Sequence, residues 1–593
     1  LYAHNNPLPK IPKEIIKRHK FLPTLTSYLT DLELGKSPNS EVKTILIGNG
    51  SVGKTQVANR LEKGKAYVFE EKHASTHAIG LHKKNLKCAF LENGLDLNIW
   101  DFGGQDMYHA THHLFMQTRA LFILVWDAEN EVEGSQHEYK GVKYDNFPLR
   151  YWLEYANYFG KESPVLVVRN KADIHGKAFE MPKGLKESYQ TEYPNIVGFV
   201  EVSAKTGENF YGLEKQIQKA FEENENLRNE LINKQLPTAW VRMRNKIREE
   251  QQKEGGLQQI SKETFKEWCK EELIPDSAPT LLDFFHQTGV FFYDETHFSG
   301  QIILDQSWAI SAVYKVLDKD AAYFGYLQEQ QGKLNYGDIC EIWQEYSDAQ
   351  RELFLGFMLS CELCFETTKN KEYNTPLKDR TFIVPQLLNK EINFSLKNAL
   401  HSFALTEKET KKFAFLPTSL MQRFIIKAHS LAKIEDIWQK GILLCYEGKF
   451  ALVEAFYGRE PYLQIQYNPA AKTKLVPTIW AEFDKLEGKE NAKLHQERNI
   501  FENVYFEGLD TLISPNQKYS KKEIQRLISG GKISEAIQAL LLHFEGDAAK
   551  ENLVIHQSQR FSQIETKRYK GTIAESEYSL ESSKIVDALL HIL

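Results

Sequence analysis

Strand and helix patterns alternate from Val42 to about residue 225, then give way to helix-rich and strand-rich stretches and a final helical tract. That order predicts a multidomain chain of the α/β plus α+β class, whose first large domain is a doubly wound, mostly parallel sheet. A mixed helical, winged-helix-like region, a strand-rich region and a C-terminal helical domain follow. Three observations carry the prediction. Runs such as Leu121–Trp126 are apolar without a break, tryptophans are scattered among helical patterns after residue 229, and Ile533, Ala536, Ile537, Leu540, Leu541 and Phe544 form an apolar stripe at helical spacing. The 593 residues leave room for all of this.

Taken in order, residues 1–38 read as an end piece. Asn6-Pro7-Leu8-Pro9, running into Ile11-Pro12, resembles the closing half of a leucine-rich repeat. Such repeats bury their apolar faces only by stacking, so further repeats are expected upstream. The plainer alternative is a proline-punctuated coil. Residues 21–34 read as a short helix and 35–40 as a linker. Strands are then expected at 42–47, 86–91, 95–101, 121–126, 165–169 and 197–202, with the β-branched character of strands buried on both faces. Asn93-Gly94 is a tight-hairpin signal, so the second and third strands are read as antiparallel and the others as parallel crossovers. The domain closes near residue 225, where 222–230 turns polar. Trp240, Trp268, Trp308 and Trp343 stud helical patterns up to residue 400, and 441–446, 449–454 and 463–467 read as strands. Residues 261–300 fit a winged helix with 301–305 in its wing. Three lysines against eight acids there favour a protein partner over DNA.

Acidic residues outnumber basic ones by 80 to 74, for a net charge of −6. A chain that coats nucleic acid or anionic membrane needs a basic excess, so neither partner is expected. The longest apolar stretch, near 120–126, is far short of the ~18 residues of a membrane helix. Six cysteines are too few for a disulfide scaffold and suit a reducing, cytoplasmic setting.

Gly48-Asn49-Gly50-Ser51-Val52-Gly53-Lys54-Thr55 satisfies two phosphate-binding patterns. Gly48, Gly50 and Gly53 fit the dinucleotide fingerprint, with Glu70 or Glu71 where a ribose-binding acid would sit. The Lys54-Thr55 pair decides for the P-loop. That loop needs a cation on the β- and γ-phosphates and a hydroxyl on Mg2+, where a helix N-terminus presents its N–H groups. Residues 54–63, with Val57 and Leu61 inward, supply the helix. Asp101-Phe102-Gly103-Gly104 ends the third strand, so Asp101 can hold Mg2+ through water and Gly104 can bring a backbone N–H to the γ-phosphate. Gln105 follows, placed to orient an attacking water, and the catalytic roles fall to Gln105 and Lys54.

Asn170-Lys171-Ala172-Asp173 follows the fifth strand and Ser203-Ala204-Lys205 the sixth. Asp173 discriminates between bases. A carboxylate accepts from guanine N1–H and the exocyclic N2 amine, where adenine offers an acceptor and nothing. The expected ligands are therefore GTP or GDP with Mg2+. A threonine before the second strand should close over the γ-phosphate and the metal. Thr76 is favoured, with Ser75 the alternative, so Thr55, Thr76 and Asp101 make up the metal set.

With these motifs the chain resembles the Roco family, which includes the leucine-rich-repeat kinases and joins a Ras-like GTPase called Roc to a COR region. Asp101–Gln105 running into His109-Ala110-Thr111-His112-His113 resembles the second switch, and Leu236-Pro237-Thr238-Ala239-Trp240 the COR opening. Residues 281–290 with 302–308 resemble the first half of COR, and Phe382-Ile383-Val384-Pro385 with 438–444 the second. The resemblance implies a prokaryotic, GTP-hydrolysing switch that homodimerises through the second half of COR with nucleotide-dependent stability. No kinase motifs occur. An arginine is proposed to act in some members. Arg119 and Arg150 lie nearest, with Glu154 close by, and none is assigned. The last 75 or so residues resemble bacterial effector-associated domains, on Gly531–Ala536 and Lys570-Gly571-Thr572-Ile573, which implies an effector protein as partner. The domains are then 1–38 (end piece and linker helix), 39–228 (Roc), 229–400 and 401–510 (the halves of COR) and 511–593 (helical interaction domain). The alternative function is a nucleotide-stabilised scaffold with incidental hydrolysis.

Two metal-like signals are declined. Cys361 and Cys364 are a lone C-x-x-C in an apolar run and read as core cysteines. His109, His112 and His113 have the spacing of zinc ligands but fall in the second switch.

Overall fold

The computed structural model describes residues 21–69, 79–102, 119–127, 136–139, 142–160, 163–175, 183–232, 234–318, 321–367, 375–458 and 460–487, together with Ile11, Pro12, Ile15, scattered positions from 521 to 560, and 575–593. The chain divides into two units, Leu1–Asn503 and Val504–Leu593.

The first unit opens with helix α1 (Phe21–Glu33) and then builds a six-stranded sheet from β1 (Glu41–Ile47), β2 (Ile79–Cys88), β3 (Leu91–Phe102), β4 (Leu121–Trp126), β5 (Val165–Arg169) and β6 (Ile196–Glu201). The order is β2-β3-β1-β4-β5-β6, antiparallel only between β2 and β3. Alternate residues of one strand enter different cores. Leu121, Ile123, Val125, Leu166 and Val168 join Val57 and Leu61 of α2 (Lys54–Lys63) and Leu213 and Ile217 of Phe210–Glu223. Phe122, Leu124, Val165 and Val167 join Trp152, Leu153 and Ala156 of α3 (Leu149–Gly160). Burial on both faces is why these strands read as unbroken apolar runs.

The hairpin is one place where the sequence reading is corrected. β2 and β3 turn at Ala89-Phe90, and Asn93-Gly94 lies inside β3 at a bulge, where the register slips between the Leu86–Leu95 and Cys88–Leu91 pairs. Gly94 has φ +78°, and a Cβ there would meet Leu86 O at 2.7 Å. The same positive-φ chemistry serves a bulge as well as a hairpin.

The linker expected at 35–40 contains a strand. Lys36–Pro38 pairs antiparallel with Gln235–Pro237, just ahead of helix Thr238–Gln252. α1 packs beside it: Tyr28 donates to Gln235 O at 2.5 Å, and Trp240 donates from Nε1 to the buried Asp31 at 2.7 Å. The entry helix thus shares a core with the helical region C-terminal to the sheet domain.

Gln259–Ser261, Phe292–Tyr293 and Gln301–Ile303 form a three-stranded sheet with the last strand central, around helices Lys262–Glu271 and Ala278–Gln287. This is the winged-helix order. The next helix, Gln306–Val316, packs against β2, and its Trp308, Ile310 and Val313 belong to the core that includes Trp100 and Phe122. A five-stranded antiparallel sheet then runs in the order Glu407–Lys412, Tyr462–Tyr467, Lys449–Phe456, Gly441–Tyr446, Ile437–Trp438. Helices Thr418–Ala428 and Leu475–Leu486 back it, with Phe424 stacked on Phe483 at 4.2 Å.

In the second unit Ala536, Ile537, Leu540 and Phe544 of the helical stripe are buried with Ile524, Ile528, Val554, Ile585 and Leu589. Ile533 and Leu541 lie outside the described residues. Among the described residues no helix is long and apolar enough to cross a membrane.

Candidate nucleotide site

The strand order reverses at β1, whose neighbours β3 and β4 lead to opposite edges. Open α/β sheets receive ligands at the strands' carboxyl ends at such a point. The loop after β1 is the phosphate loop, and α2 starts at Lys54 with Gly53 as its N-cap at φ 90°. A Cβ on Gly53 would come within 2.4 Å of Asn170 Nδ2, so glycine is what lets this loop meet the loop after β5.

Lys54 is buried, and its Nζ donates to Gly48 O at 2.9 Å and Asn49 O at 2.7 Å. Burial pushes its ammonium pKa down to about 8, against the opposing pull of the Asp101 carboxylate. Thr55 Oγ1 donates to Oδ2 of Asp101 at 2.5 Å, and Asp101 is wholly buried near the end of β3. A hydroxyl and a carboxylate in contact beside a helix N-terminus are hard oxygen donors of the kind Mg2+ takes, so the residues present fit that ion. Asn49 turns its side chain out of the loop. Its amide accepts from Phe147 N at 2.9 Å and Trp152 Nε1 at 3.0 Å and donates to Phe147 O at 2.7 Å. Val52 and Gly50 are buried, and Ser51 is exposed with φ 61°.

The loops after β5 and β6 are joined by Asn170. Its Nδ2 donates to Val52 O at 3.0 Å, and its Oδ1 accepts from Ala204 N at 3.0 Å. Ser203 is buried and shapes its own loop by accepting from Thr206 N at 3.0 Å. Lys171 has φ 63° and pairs with the buried Asp127 at 2.6 Å. Asp173 is exposed in the first turn of Ala172–His175. Lys205 is exposed, with its ammonium 5.7 Å from the Phe69 ring.

The structure therefore brings Gly48–Thr55, Asp101, Asn170, Lys171, Asp173, Ser203, Ala204 and Lys205 to one edge of the sheet. Thr76, Ser75, Gly103, Gly104, Gln105, His109, His112 and His113 lie outside the described residues. Arg150 pairs with Glu192, and Glu154 accepts from Tyr193 Oη at 2.7 Å. Cys361 and Cys364 are free and buried, and burial raises both thiol pKa values. Among the described residues no group of three or more His, Cys, Asp or Glu side chains can hold a metal ion. Sequence reasoning missed Asp127, Phe69 and Arg60, whose guanidinium donates to Ala204 O at 3.0 Å. An acid directly after the β4 run and an aromatic after the phosphate-loop helix were the available signals.

The fold and the site define a Ras-like P-loop nucleotide domain. Family models agree region by region: "Ras of Complex, Roc, domain of DAPkinase" matches residues 43–173, "C-terminal of Roc, COR-A domain" 237–388, and "Effector-associated domain 11" 519–593. A Roc-COR-CHAT protease of Runella zeae is 28% identical over 463 residues, covering 75% of this chain and 46% of that protein. A second Roc-COR-CHAT protease, from an unknown prokaryotic organism, is 23% identical, covering 100% of this chain and 56% of that one. The chain thus spans about half the length of these relatives. Ras-related protein Rab-5B of Plasmodium falciparum is 30% identical over 194 residues, covering 31% of this chain and 82% of that protein. A solved structure of Methanosarcina barkeri Roco2 RocCORdC bound to GDP is similar at 26% identity and a TM-score of 0.44, covering 60% of this chain and 98% of that one. The chain belongs to the Roco family, with a Roc GTPase domain, a COR region and a C-terminal effector-associated domain of the prokaryotic type.

Proposed function

We propose that this chain is a GTP-hydrolysing switch whose nucleotide state sets the stability of a homodimer made through the second half of COR. The observation that carries the nucleotide reading is the locking of three carboxyl-end loops by Asn170, next to the buried Lys54 and the Thr55–Asp101 contact. Gly48, Gly50, Gly53 and Lys54 would cradle the phosphates, with Asn49, Ser51 and Val52 contributing backbone. Thr55, Thr76 and, through water, Asp101 would hold Mg2+, which when bound would neutralise charge on the phosphate oxygens. Asn170, Lys171, Asp173, Ser203, Ala204 and Lys205 would receive guanine. Gly104 would meet the γ-phosphate and Gln105 would orient the water that attacks it in line. Positioning and charge neutralisation then supply most of the catalysis.

The proposed division is 39–228 for the GTPase, 229–400 and 401–510 for the halves of COR, and 511–593 for an effector protein. Support for coupling comes from Phe415, at the start of the second half of COR. Its ring lies 5.2, 5.9 and 5.8 Å from those of Tyr151, Tyr155 and Tyr158 on α3, the helix whose start Asn49 holds. Light scattering over a dilution series, with no nucleotide, GDP and a non-hydrolysable GTP, tests the switch. The dimer should weaken with GTP by about 5- to 150-fold, the range of a 1–3 kcal/mol coupling. Equal dissociation constants in all three states sink the coupling. Single-turnover hydrolysis by Gln105→Leu at the parent rate would place the water elsewhere and favour the scaffold reading.

A further inference from the structure

One side chain spans the walls of the base end without belonging to any motif. Arg60 leaves α2 six residues after Lys54 and lies against the loop after β6. Its Nε and Nη2 donate to Ala204 O at 3.2 and 3.0 Å, and Nη2 also to Lys205 O at 2.9 Å. On its other side Nη1 donates to Tyr67 O at 3.2 Å, and the guanidinium lies over the Tyr67 ring, 4.7 Å from its centre. Tyr67 is buried and stands two residues before Phe69, the ring next to Lys205. A planar cation with five donors can hold several carbonyls in fixed directions, which a lysine cannot.

We infer that Arg60 is a positioning residue for nucleotide retention and base choice, clamping the Ala204–Lys205 loop to the Tyr67–Phe69 segment so that the base pocket keeps its width. This rests on the guanine reading above. Arg60 is bonded to both segments, so a base seated between them would be released more slowly while the clamp holds. It reaches them from the helix that carries Lys54, so the clamp is referenced to the phosphate loop. Its described hydrogen bonds go to the backbone carbonyls of Ala204, Lys205 and Tyr67, and none goes to the phosphate loop Gly48–Thr55. Losing it should therefore weaken a nucleotide held by its base and spare one held by its phosphates alone.

The test uses the full chain with Mg2+, a fluorescent GDP and unlabelled ADP as competitor. Arg60→Ala should release GDP about tenfold faster or more, with a matching loss of GDP affinity. ADP affinity should stay within about twofold, so the preference for GDP over ADP shrinks by the same tenfold. Arg60→Lys keeps the charge and reaches fewer carbonyls, so its release rate should fall between the two. It carries the same test if the alanine variant does not fold. Release and base preference equal to the parent in both variants overturn the proposal. So does an equal loss for GDP and ADP, which would mean a merely structural role. A parent protein that does not prefer GDP over ADP instead sinks the guanine reading itself.

Discussion

The two ends of the nucleotide site are held by different means. At the phosphate end polar side chains satisfy groups of the site itself: Lys54 bonds the carbonyls of Gly48 and Asn49, and Thr55 bonds Asp101. At the base end a frame of amide, guanidinium and backbone bonds stands complete, with Asn170 bridging Val52 and Ala204 and Arg60 bridging Ala204 and Tyr67. Asp173 remains exposed. A ligand at the first end must displace or share internal partners, whereas at the second it meets a preorganised wall. Affinity and its pH dependence should therefore come from the phosphate end, and base choice from one carboxylate on a finished frame.

The largest effect that tests this contrast is loss of the buried cation. Lys54→Ala removes charge-assisted bonds to the β- and γ-phosphates, so affinity for a non-hydrolysable GTP should fall on the order of a thousandfold or more. Titration calorimetry reads it directly. A variant that binds within tenfold of the parent would place the main source of affinity at the base end. Asp173→Asn, next in size, replaces an ionised acceptor of two hydrogen bonds, each worth about 1.5–3 kcal/mol. GTP affinity should drop on the order of a hundredfold, while xanthine nucleotides gain, because the new amide can donate to a carbonyl at C2. Unchanged GTP binding by this variant would mean that the base is read by something other than Asp173.

The same contrast explains which features were legible in the sequence. The strands at 121–126 and 165–169 lie where expected, and the phosphate-loop helix starts and ends at Lys54 and Lys63, because double-faced burial and a capped helix leave local patterns. Asn93-Gly94 misled because a bulge and a hairpin ask for the same backbone conformation. Lys36–Pro38 left no trace: a three-residue strand is too short for alternation to show, and its partner lies beyond the whole sheet domain. The frame of the base end was illegible for a related reason. Arg60 bonds a carbonyl 144 residues away, and Asn170 bonds one 118 residues away. Any donor of the right reach can bond a backbone carbonyl, so no residue pattern marks the pair.

A smaller effect separates the ends by pH. Nucleotide binding needs Lys54 as an ammonium, and burial has lowered its pKa to about 8. Below pH 8 the cation is present. As pH rises through 8 the empty site loses its proton and binding must restore it, so affinity should fall by at most tenfold per pH unit and by about tenfold between pH 7 and 9. Calorimetry in buffers of different ionisation enthalpy should show proton uptake growing over that interval. Lys54→Arg keeps its charge throughout and should lose the slope even though it binds more weakly. A parent affinity that stays flat from pH 7 to 9 would mean that Lys54 stays charged in the empty site.

The smallest effect concerns what the phosphate end touches beyond the ligand. Asn49 holds Phe147 and Trp152 by three hydrogen bonds, while Tyr151, Tyr155 and Tyr158 of the same helix pack around Phe415. Among the described contacts the Asn170–Arg60 frame makes no hydrogen bond to α3. A ligand that shifts the Asn49 carbonyl away from Lys54 moves the root of α3, and a displaced aromatic cluster would pass that shift to the second half of COR. Neutral hydrogen bonds are worth about 0.5–1.5 kcal/mol each, enough to transmit much of a 1–3 kcal/mol coupling. Asn49→Ala should therefore reduce the GTP-to-GDP ratio of dimer dissociation constants to about twofold, whereas Arg60→Ala, assayed at saturating nucleotide, should keep the parent ratio. Light scattering of the two variants side by side decides it. A full nucleotide effect in Asn49→Ala would move the route away from α3, and a lost effect in Arg60→Ala would mean that the base end signals as well.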